Sequence, residues 1–283
     1  MQNFHTHVWD QRLHFSEQTI RESERSRGYA LDLTVEFDPF MADMAPFDRV
    51  VVFGLKARRC GYWVPDEYVA AFVARAPAKL IGFASCDPSQ PACMEELVHA
   101  IEGLHLSGVK IGPTYAGIDP RDPKCNAIYR YCERRGLPII FHTGTTFNSQ
   151  ALLEYGRPWI WDELGMKHPD LRMVLAHVGH PFCEECLAVI RKHQYMYADI
   201  SALYYRPWQF YNMLVAAQEY GVTGKLLFGT DYPFAAAQAS VDGLLNVNVI
   251  IGRSGLPQIR RETIDGILRR DACAVLGIGG KHP

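Results

Sequence analysis

The sequence predicts an α/β protein folded as a single (β/α)₈ barrel of the TIM type, on three observations. Short apolar runs alternate with helical stretches along most of the chain. Eight such runs occur, and ionisable residues gather at their C-terminal ends. Alternating strands and helices imply parallel βαβ units, whose strands are covered on both faces and read as near-continuous apolar runs. Eight units in 283 residues suit one closed barrel, which typically takes about 250 residues. An open doubly wound sheet usually carries a glycine-rich turn after its first strand, and no GxGxxG occurs in the chain.

The first strand is expected over residues 2–8. Residues 10–48 are long and polar at first, and read as an insertion between strands 1 and 2. Loops of that kind at a barrel mouth often carry substrate contacts. Strand 2 is the β-branched run RVVVFGLK (49–56), followed by a helix over 65–76 with Pro65 near its start. LIGFASCDP (80–88) is strand 3, with a helix over 92–104. SGVKIGP (107–113) is strand 4, and the helix over 124–135 is stopped by Gly136. LPIIFHTG (137–144) is strand 5, with a helix over 159–167 and Pro169 just beyond. LRMVLAHVG (171–179) is strand 6, with a helix over 182–192. YMYADISA (195–202) is strand 7, with a helix over 207–220. KLLFGTDYP (225–233) is strand 8, and two helices near 238–251 and 257–276 complete the chain.

Composition excludes several classes of function. The chain is 48% hydrophobic and 21% charged, with a net charge of −2, an ordinary globular balance. It is long enough to bury a core without disulfides. The basic pairs Arg58-Arg59, Arg134-Arg135 and Arg260-Arg261 are isolated, so there is no electrostatic footprint for nucleic acid. No window approaches the roughly 18 apolar residues of a membrane span. The N-terminus has no basic region followed by an apolar run, so no secretory signal is expected and a cytoplasmic location is. The cysteines at 60, 86, 93, 125, 132, 183, 186 and 273 are expected to be reduced thiols. Cys183-Glu-Glu-Cys186 is a CxxC inside an expected helix with no second pair facing it, and carries no metal or redox expectation.

The residues that carry chemistry sit at strand ends. His5 and His7 close strand 1, and Lys56, Arg58 and Arg59 close or follow strand 2. Lys110 lies in strand 4, while His142, His177 and Asp231 end strands 5, 6 and 8. Barrel enzymes keep their catalytic groups at this face. Residues i and i+2 of a strand share a face, so both imidazoles of His5-Thr6-His7 can enter the barrel and hold one cation at about 2.0–2.1 Å. An HxH alone is more often a pair of solvent-facing histidines near a terminus; its coincidence with His142, His177 and Asp231 shifts the balance toward a metal site. Three histidines and one carboxylate make a ligand set for Zn²⁺, Mn²⁺ or Fe²⁺ without selecting among them. His180 and Tyr115 are candidate substrate contacts. Tyr115, Phe147, Arg157, Trp159 and Tyr232 flank the expected site and could enclose a ring. Lys56, Arg58 and Arg59 offer a basic group at the mouth, with Arg58 the candidate contact for a carboxylate-bearing substrate. His14, His99, His105, His168, His193 and His282 are expected at the surface.

The set HTH, FHTG, LAHVGHP and FGTDYPF, in that order, resembles the amidohydrolase superfamily. It is most similar to a branch of TIM-barrel metal-dependent hydrolases that also holds aminocarboxymuconate-semialdehyde and γ-resorcylate decarboxylases. The likeness runs through GVKIGPTYAGIDPRDP, GLPIIFHTGTTF and PDLRMVLAHVGHP to GTDYPF and DACAVLGI, leaving out only residues 10–48. It implies that His5, His7, His142 and Asp231 bind one divalent metal, zinc first, with manganese or iron as alternatives. It implies that His177 stands beside the metal-bound water or substrate, and that Asp231 also moves protons. His177 and Asp231 are therefore the catalytic candidates. Many relatives read lysine-apolar-histidine on strand 4, where this chain has Lys110-Ile111-Gly112. In binuclear members such a lysine is carboxylated and bridges two metals. The branch is mononuclear, so Lys110 is expected to pair with a neighbour or an anionic substrate.

The expected activity is hydrolysis of a small lactone, amide or related cyclic carbonyl compound, with Asp231 as general base and then acid. The alternative is non-oxidative decarboxylation of an aromatic or enol-like acid. A lactonase working without metal fits poorly with a complete ligand set, and so does a non-catalytic binding barrel. A homodimer or tetramer is what the resemblance implies for assembly.

Overall fold

Eight parallel strands form one sheet in chain order: β1 (Gln2–His7), β2 (Arg49–Phe53), β3 (Leu80–Cys86), β4 (Val109–Ile111), β5 (Ile139–Phe141), β6 (Met173–Leu175), β7 (Met196–Asp199) and β8 (Leu226–Leu227). The structure, a computed structural model, describes residues 1–279; His282 lies outside them. The first and last strands meet, so the sheet closes into a barrel. Phe4 N donates to Phe228 O at 2.9 Å, Asp231 N to His5 O at 2.9 Å and His7 N to Tyr232 O at 2.8 Å. Asn3 reinforces this seam, with Nδ2 donating to Thr230 Oγ1 and Oδ1 accepting from Thr230 N. The (β/α)₈ prediction therefore holds, in a single domain.

Two apolar layers hold the barrel. Outward residues such as Val50, Val52, Val109, Ile139, Met173 and Leu226 pack under the helices. Inward residues Val51, Phe53, Ile81, Phe83, Ile140, Val174 and Leu227 fill the barrel, and Ala272, Cys273 and Leu276 plug its base. The strand alternation that separates the layers is the period-2 pattern of a covered strand. β1 breaks it. Asn3 pairs with Val50 but Thr6 pairs with Val52, so β1 holds one extra residue against its neighbour, a β-bulge. Phe4 and His5 consequently both serve the interior: Phe4 packs edge-on against Phe83 at 5.8 Å, and His5 faces the polar centre above it.

Residues 10–48 sit between β1 and β2 and contain three helices, α1 (Gln11–His14), α2 (Glu17–Arg27) and α3 (Phe37–Asp43). The run after β2 forms a small hairpin, Lys56–Ala57 with Tyr62–Trp63. Several expected elements are shorter than predicted. The stretch 257–276 divides into Arg261–Arg269 and Ala272–Val275, because Asp271 accepts from Ala274 N and starts a new helix. The stretch 92–104 is a helix over Cys93–Val98 continued by one wider turn, His99–Gly103. Cys183 and Cys186 lie in the helix Cys183–Lys192 as free thiols. No helix among the described residues is long and apolar enough to cross a membrane.

Candidate metal centre and cavity

β1, β6 and β8 bring the central group together. His5 Nε2 lies 3.3 Å and His7 Nε2 3.2 Å from Asp231 Oδ1, and donor atoms of His5, His177 and Asp231 all fall within 4.8 Å of one another. Gly229 makes room for this: a Cβ there would stand 2.6 Å from the Cβ of His5. His142 reaches the same centre from the end of β5, its ring 5.2 Å from that of His177. The backbone of His177 and of Asp231 is left-handed, at φ 58° and 65°. Non-glycine residues adopt that region rarely, and such strain clusters at working sites.

The arrangement fits a divalent cation. Asp231 Oδ1 and His142 Nε2 are buried without a hydrogen-bond partner among the described residues, and such atoms are costly unless something satisfies them. Ligands about 2.1 Å from one ion stand roughly 3.0–3.4 Å apart, which is the spacing of the two histidine nitrogens from Asp231. Burial holds His7 down to about 3 and His177 down to about 4 against the pull of Asp231. It also holds His142 well below the ordinary histidine value, with the His177 charge adding to the effect. These imidazoles are neutral at physiological pH, as metal ligands must be. Burial alone would raise Asp231, but His177, His5 and His7 outweigh it and hold the carboxyl well below the usual range.

Asp199 is the residue that sequence reasoning missed. It ends β7 fully buried, and its Oδ2 lies 2.9 Å from His5 Nδ1. Its other oxygen accepts from His177 N at 3.2 Å and Ser201 N at 3.1 Å, and from the Ser201 hydroxyl. A carboxylate accepting Nδ1–H fixes the tautomer that turns Nε2 toward the centre. Burial and Lys110 would lower His5, yet Asp199 and Asp231 leave it raised. Ser201 Oγ likewise holds His177 Nδ1 at 2.8 Å. A lone acid closing an apolar strand, ADI in YMYADISA, was the available signal.

Lys110 stands inside the barrel, its Nζ 3.4 Å from His5 Nε2 and 4.7 Å from the centre of the Phe53 ring. Burial lowers it to about 8 against the pull of Asp199 and Asp231. Above the centre opens a cavity of about 700 Å³, lined by Lys110, Tyr115, His142, His177, His180 and Asp231 among others. The Tyr115 ring lies 4.5 Å from that of His142. Gly144, at φ +85°, lets the β5 loop pass His180, whose carbonyl oxygen a Cβ would meet at 2.0 Å.

Several expected contacts fall elsewhere. Arg58 does not line the cavity: its guanidinium stacks 3.7 Å over Trp63, on the hairpin. Lys56 Nζ is held by Asp66 at 2.7 Å and Glu96 at 2.8 Å, and Arg59 Nε donates to Gln150 O. The chain after β2 turns into the hairpin and carries all three away from the mouth. The cationic groups that do line the cavity with Lys110 are Arg27 of α2 and Arg206. Phe147 lines it too, whereas Arg157 pairs with Glu185, Trp159 is exposed and Tyr232 packs on Phe40. His14 and His168 are buried rather than at the surface: His14 Nδ1 accepts from Asp10 N, and His168 lies against Glu133.

Known structures resemble this barrel over nearly its full length. A probable 2-pyrone-4,6-dicarboxylic acid hydrolase from Acinetobacter baumannii, with citric acid bound, is 15% identical, with a TM-score of 0.67, covering 98% of this chain and 99% of that one. 5-Carboxyvanillate decarboxylase from Sphingomonas paucimobilis is 15% identical, with a TM-score of 0.66 and the same coverage. A dihydroxybenzoic acid decarboxylase from Polaromonas sp. JS666, with bound manganese and the inhibitor 2-nitroresorcinol, is 14% identical, with a TM-score of 0.66, covering 98% and 96%. At such identities the likeness is one of fold. No curated protein matches the sequence. The amidohydrolase family matches residues 3–278, and the chain belongs to it.

Proposed function

We propose that the chain catalyses metal-dependent, non-oxidative decarboxylation of a small hydroxylated aromatic acid. The observation that carries this reading is an aromatic-walled cavity, with Trp9, Tyr62, Tyr115, Phe147, Tyr205 and Phe234 among its lining, ending on the histidine–aspartate cluster. Flat aromatic walls favour a ring as substrate. Two of the three structural neighbours described above are decarboxylases of aromatic acids, which supports this order over hydrolysis, the reading the sequence ranks first.

His5, His7, His142 and Asp231 would hold the metal, with His177 at its side. Manganese, as in one neighbour, zinc and iron are ions this donor set suits. Bound there, the ion would supply Lewis-acid stabilisation of negative charge on the substrate's oxygen atoms. Asp231 is ionised before substrate arrives, so it first accepts the proton of a phenolic hydroxyl beside the carboxylate. It then delivers that proton to the ring carbon bearing the carboxylate. A C–H bond forms there, the bond to the carboxylate breaks, its electron pair returns to the ring and CO₂ leaves. Lys110 balances the charge of Asp199 and Asp231, and Ser201 holds His177 Nδ1 so that Nε2 can face the substrate. His180, held down to about 4 by burial and by Arg206, is a neutral hydrogen-bonding group on the cavity wall.

The test is a panel of hydroxybenzoates and, separately, of lactones, offered to protein loaded with Mn²⁺ or Zn²⁺. CO₂ release from a hydroxybenzoate with no lactone opening is the expected result. Lactone hydrolysis without CO₂ release would restore the hydrolase reading, in which Asp231 takes a proton from water.

A further inference from the structure

We propose that Tyr62 selects the substrate by offering the cavity a hydroxyl that can only accept, so that the preferred acid carries a second hydrogen-bond donor on its ring, away from the histidine–aspartate cluster. Glu22 of α2 is the positioning residue that imposes this, acting through Asn148. The proposal rests on the aromatic-acid reading above and adds to it a chemical requirement on the ring.

The requirement starts at Glu22, a buried acid on a helix whose other buried residues are Thr19 and Ser23. Burial alone would raise its carboxyl, but hydrogen bonds from Ser149 and Gln18 outweigh that and hold it below its ordinary value. The group is therefore a carboxylate, which only accepts. Ser149 N donates to Oε2 at 3.1 Å, and the Ser149 hydroxyl and Gln18 Nε2 donate to Oε1. Asn148 must turn its amide nitrogen to the same carboxylate, with Nδ2 3.4 Å from Oε2. Its Oδ1 then faces the other way, and accepts from the Tyr62 hydroxyl at 3.1 Å and from the Thr146 hydroxyl at 3.2 Å.

The charge on Glu22 thus sets the direction of each proton along this chain of groups. A tyrosine hydroxyl has a single proton, and that of Tyr62 is committed to Asn148. Burial raises the Tyr62 hydroxyl well above its ordinary value, so the proton stays on it. What the oxygen has left for a ligand is lone pairs. Tyr62 lines the cavity, one ring removed from the metal-ligating end: the Tyr115 ring is 4.5 Å from that of His142 and 5.6 Å from that of Tyr62. A substrate ring lying along Tyr115, with its carboxylate at the cluster, carries its far substituents toward Tyr62. A hydroxyl or amine there meets an acceptor, whereas a substituent without a donor leaves the buried oxygen unmet.

The experiment is calorimetric binding to Mn²⁺-loaded protein of two matched pairs: 2,4-dihydroxybenzoate against 4-fluoro-2-hydroxybenzoate, and 2,5-dihydroxybenzoate against 5-fluoro-2-hydroxybenzoate. Fluorine fills much of the space of a hydroxyl and has no proton to donate. In at least one pair, wild-type protein is expected to bind the hydroxyl compound about tenfold more tightly, the worth of one hydrogen bond. Tyr62→Phe should bring that ratio close to one. Glu22→Gln frees Asn148 to turn either way, so the ratio should shrink while affinity for plain 2-hydroxybenzoate stays the same. Equal binding within both pairs by wild-type protein overturns the proposal, as does a ratio that survives in folded Tyr62→Phe. A Glu22→Gln variant that weakens every ligand alike and keeps the ratio would show that the carboxylate only holds α2 in place, and would overturn its positioning role. If one variant does not fold, the wild-type ratio and the other variant still decide. Bound acids that release no CO₂ would count against decarboxylation and leave the ratio intact, whereas binding of none of the four would overturn both readings.

Discussion

Asp199 does not line the cavity, yet its contact with Nδ1 turns Nε2 of His5 toward the candidate metal centre. Its 2.9 Å contact with Nδ1 acts through the imidazole, and partners of this kind are worth about 10–100-fold in metal affinity. Asp199→Asn is therefore expected to weaken Mn²⁺ or Zn²⁺ binding by about that factor, read by metal titration of chelator-stripped protein; unchanged affinity would remove its orienting role. Asp231 differs because, in the proposed mechanism, it would touch both metal and substrate. Asp231→Asn keeps an oxygen for the metal and loses the proton carrier. Turnover should fall by about 100-fold or more, while much of the metal is retained on elemental analysis. A variant with near-wild-type kcat would show that another group moves the proton.

At the scale of elements, the precision of the site comes from the β1 bulge and from β8. The extra residue in β1 turns both Phe4 and His5 inward, and Gly229 leaves the space His5 needs. Gly229→Ala puts a Cβ at 2.6 Å from that of His5, so His5 must shift. Metal affinity should drop with only a modest loss in Tm, a split that titration and melting resolve together. Were both unchanged, the strand would be accommodating the methyl elsewhere. The strands were legible because buried parallel strands are continuously apolar, and HTH, FHTG and FGTD placed the candidate ligands at their ends. The bulge was not, since an apolar residue before a histidine reads the same with or without an extra residue in register. Arg27 was invisible for a related reason: α2, EQTIRESERSR, is polar along its length and announces no buried face. The basic cluster after strand 2 was misread because nothing in LKARRC signals the hairpin that turns it aside.

At the scale of the whole molecule, the barrel divides its interior into a dry base and a polar top. Val51, Ile81, Val174 and Leu227, plugged by Ala272 and Leu276, make the base rigid. The candidate ligands stand on that support at the strand ends, where loops are free to vary. The three-helix segment between β1 and β2 gives the cavity Arg27, so an added element lines the cavity together with the barrel's own strand ends. A metal binding only the folded state would add stability in proportion to its occupancy.

The decisive measurement is metal stoichiometry. Purified protein is stripped with chelator, titrated with Mn²⁺ or Zn²⁺, and analysed by plasma mass spectrometry beside a His5→Ala control. One tightly held ion per chain, lost in His5→Ala and accompanied by a rise in Tm in wild-type protein, is the predicted result. Protein that folds normally and takes up neither ion would contradict the metal centre and the mechanism built on it.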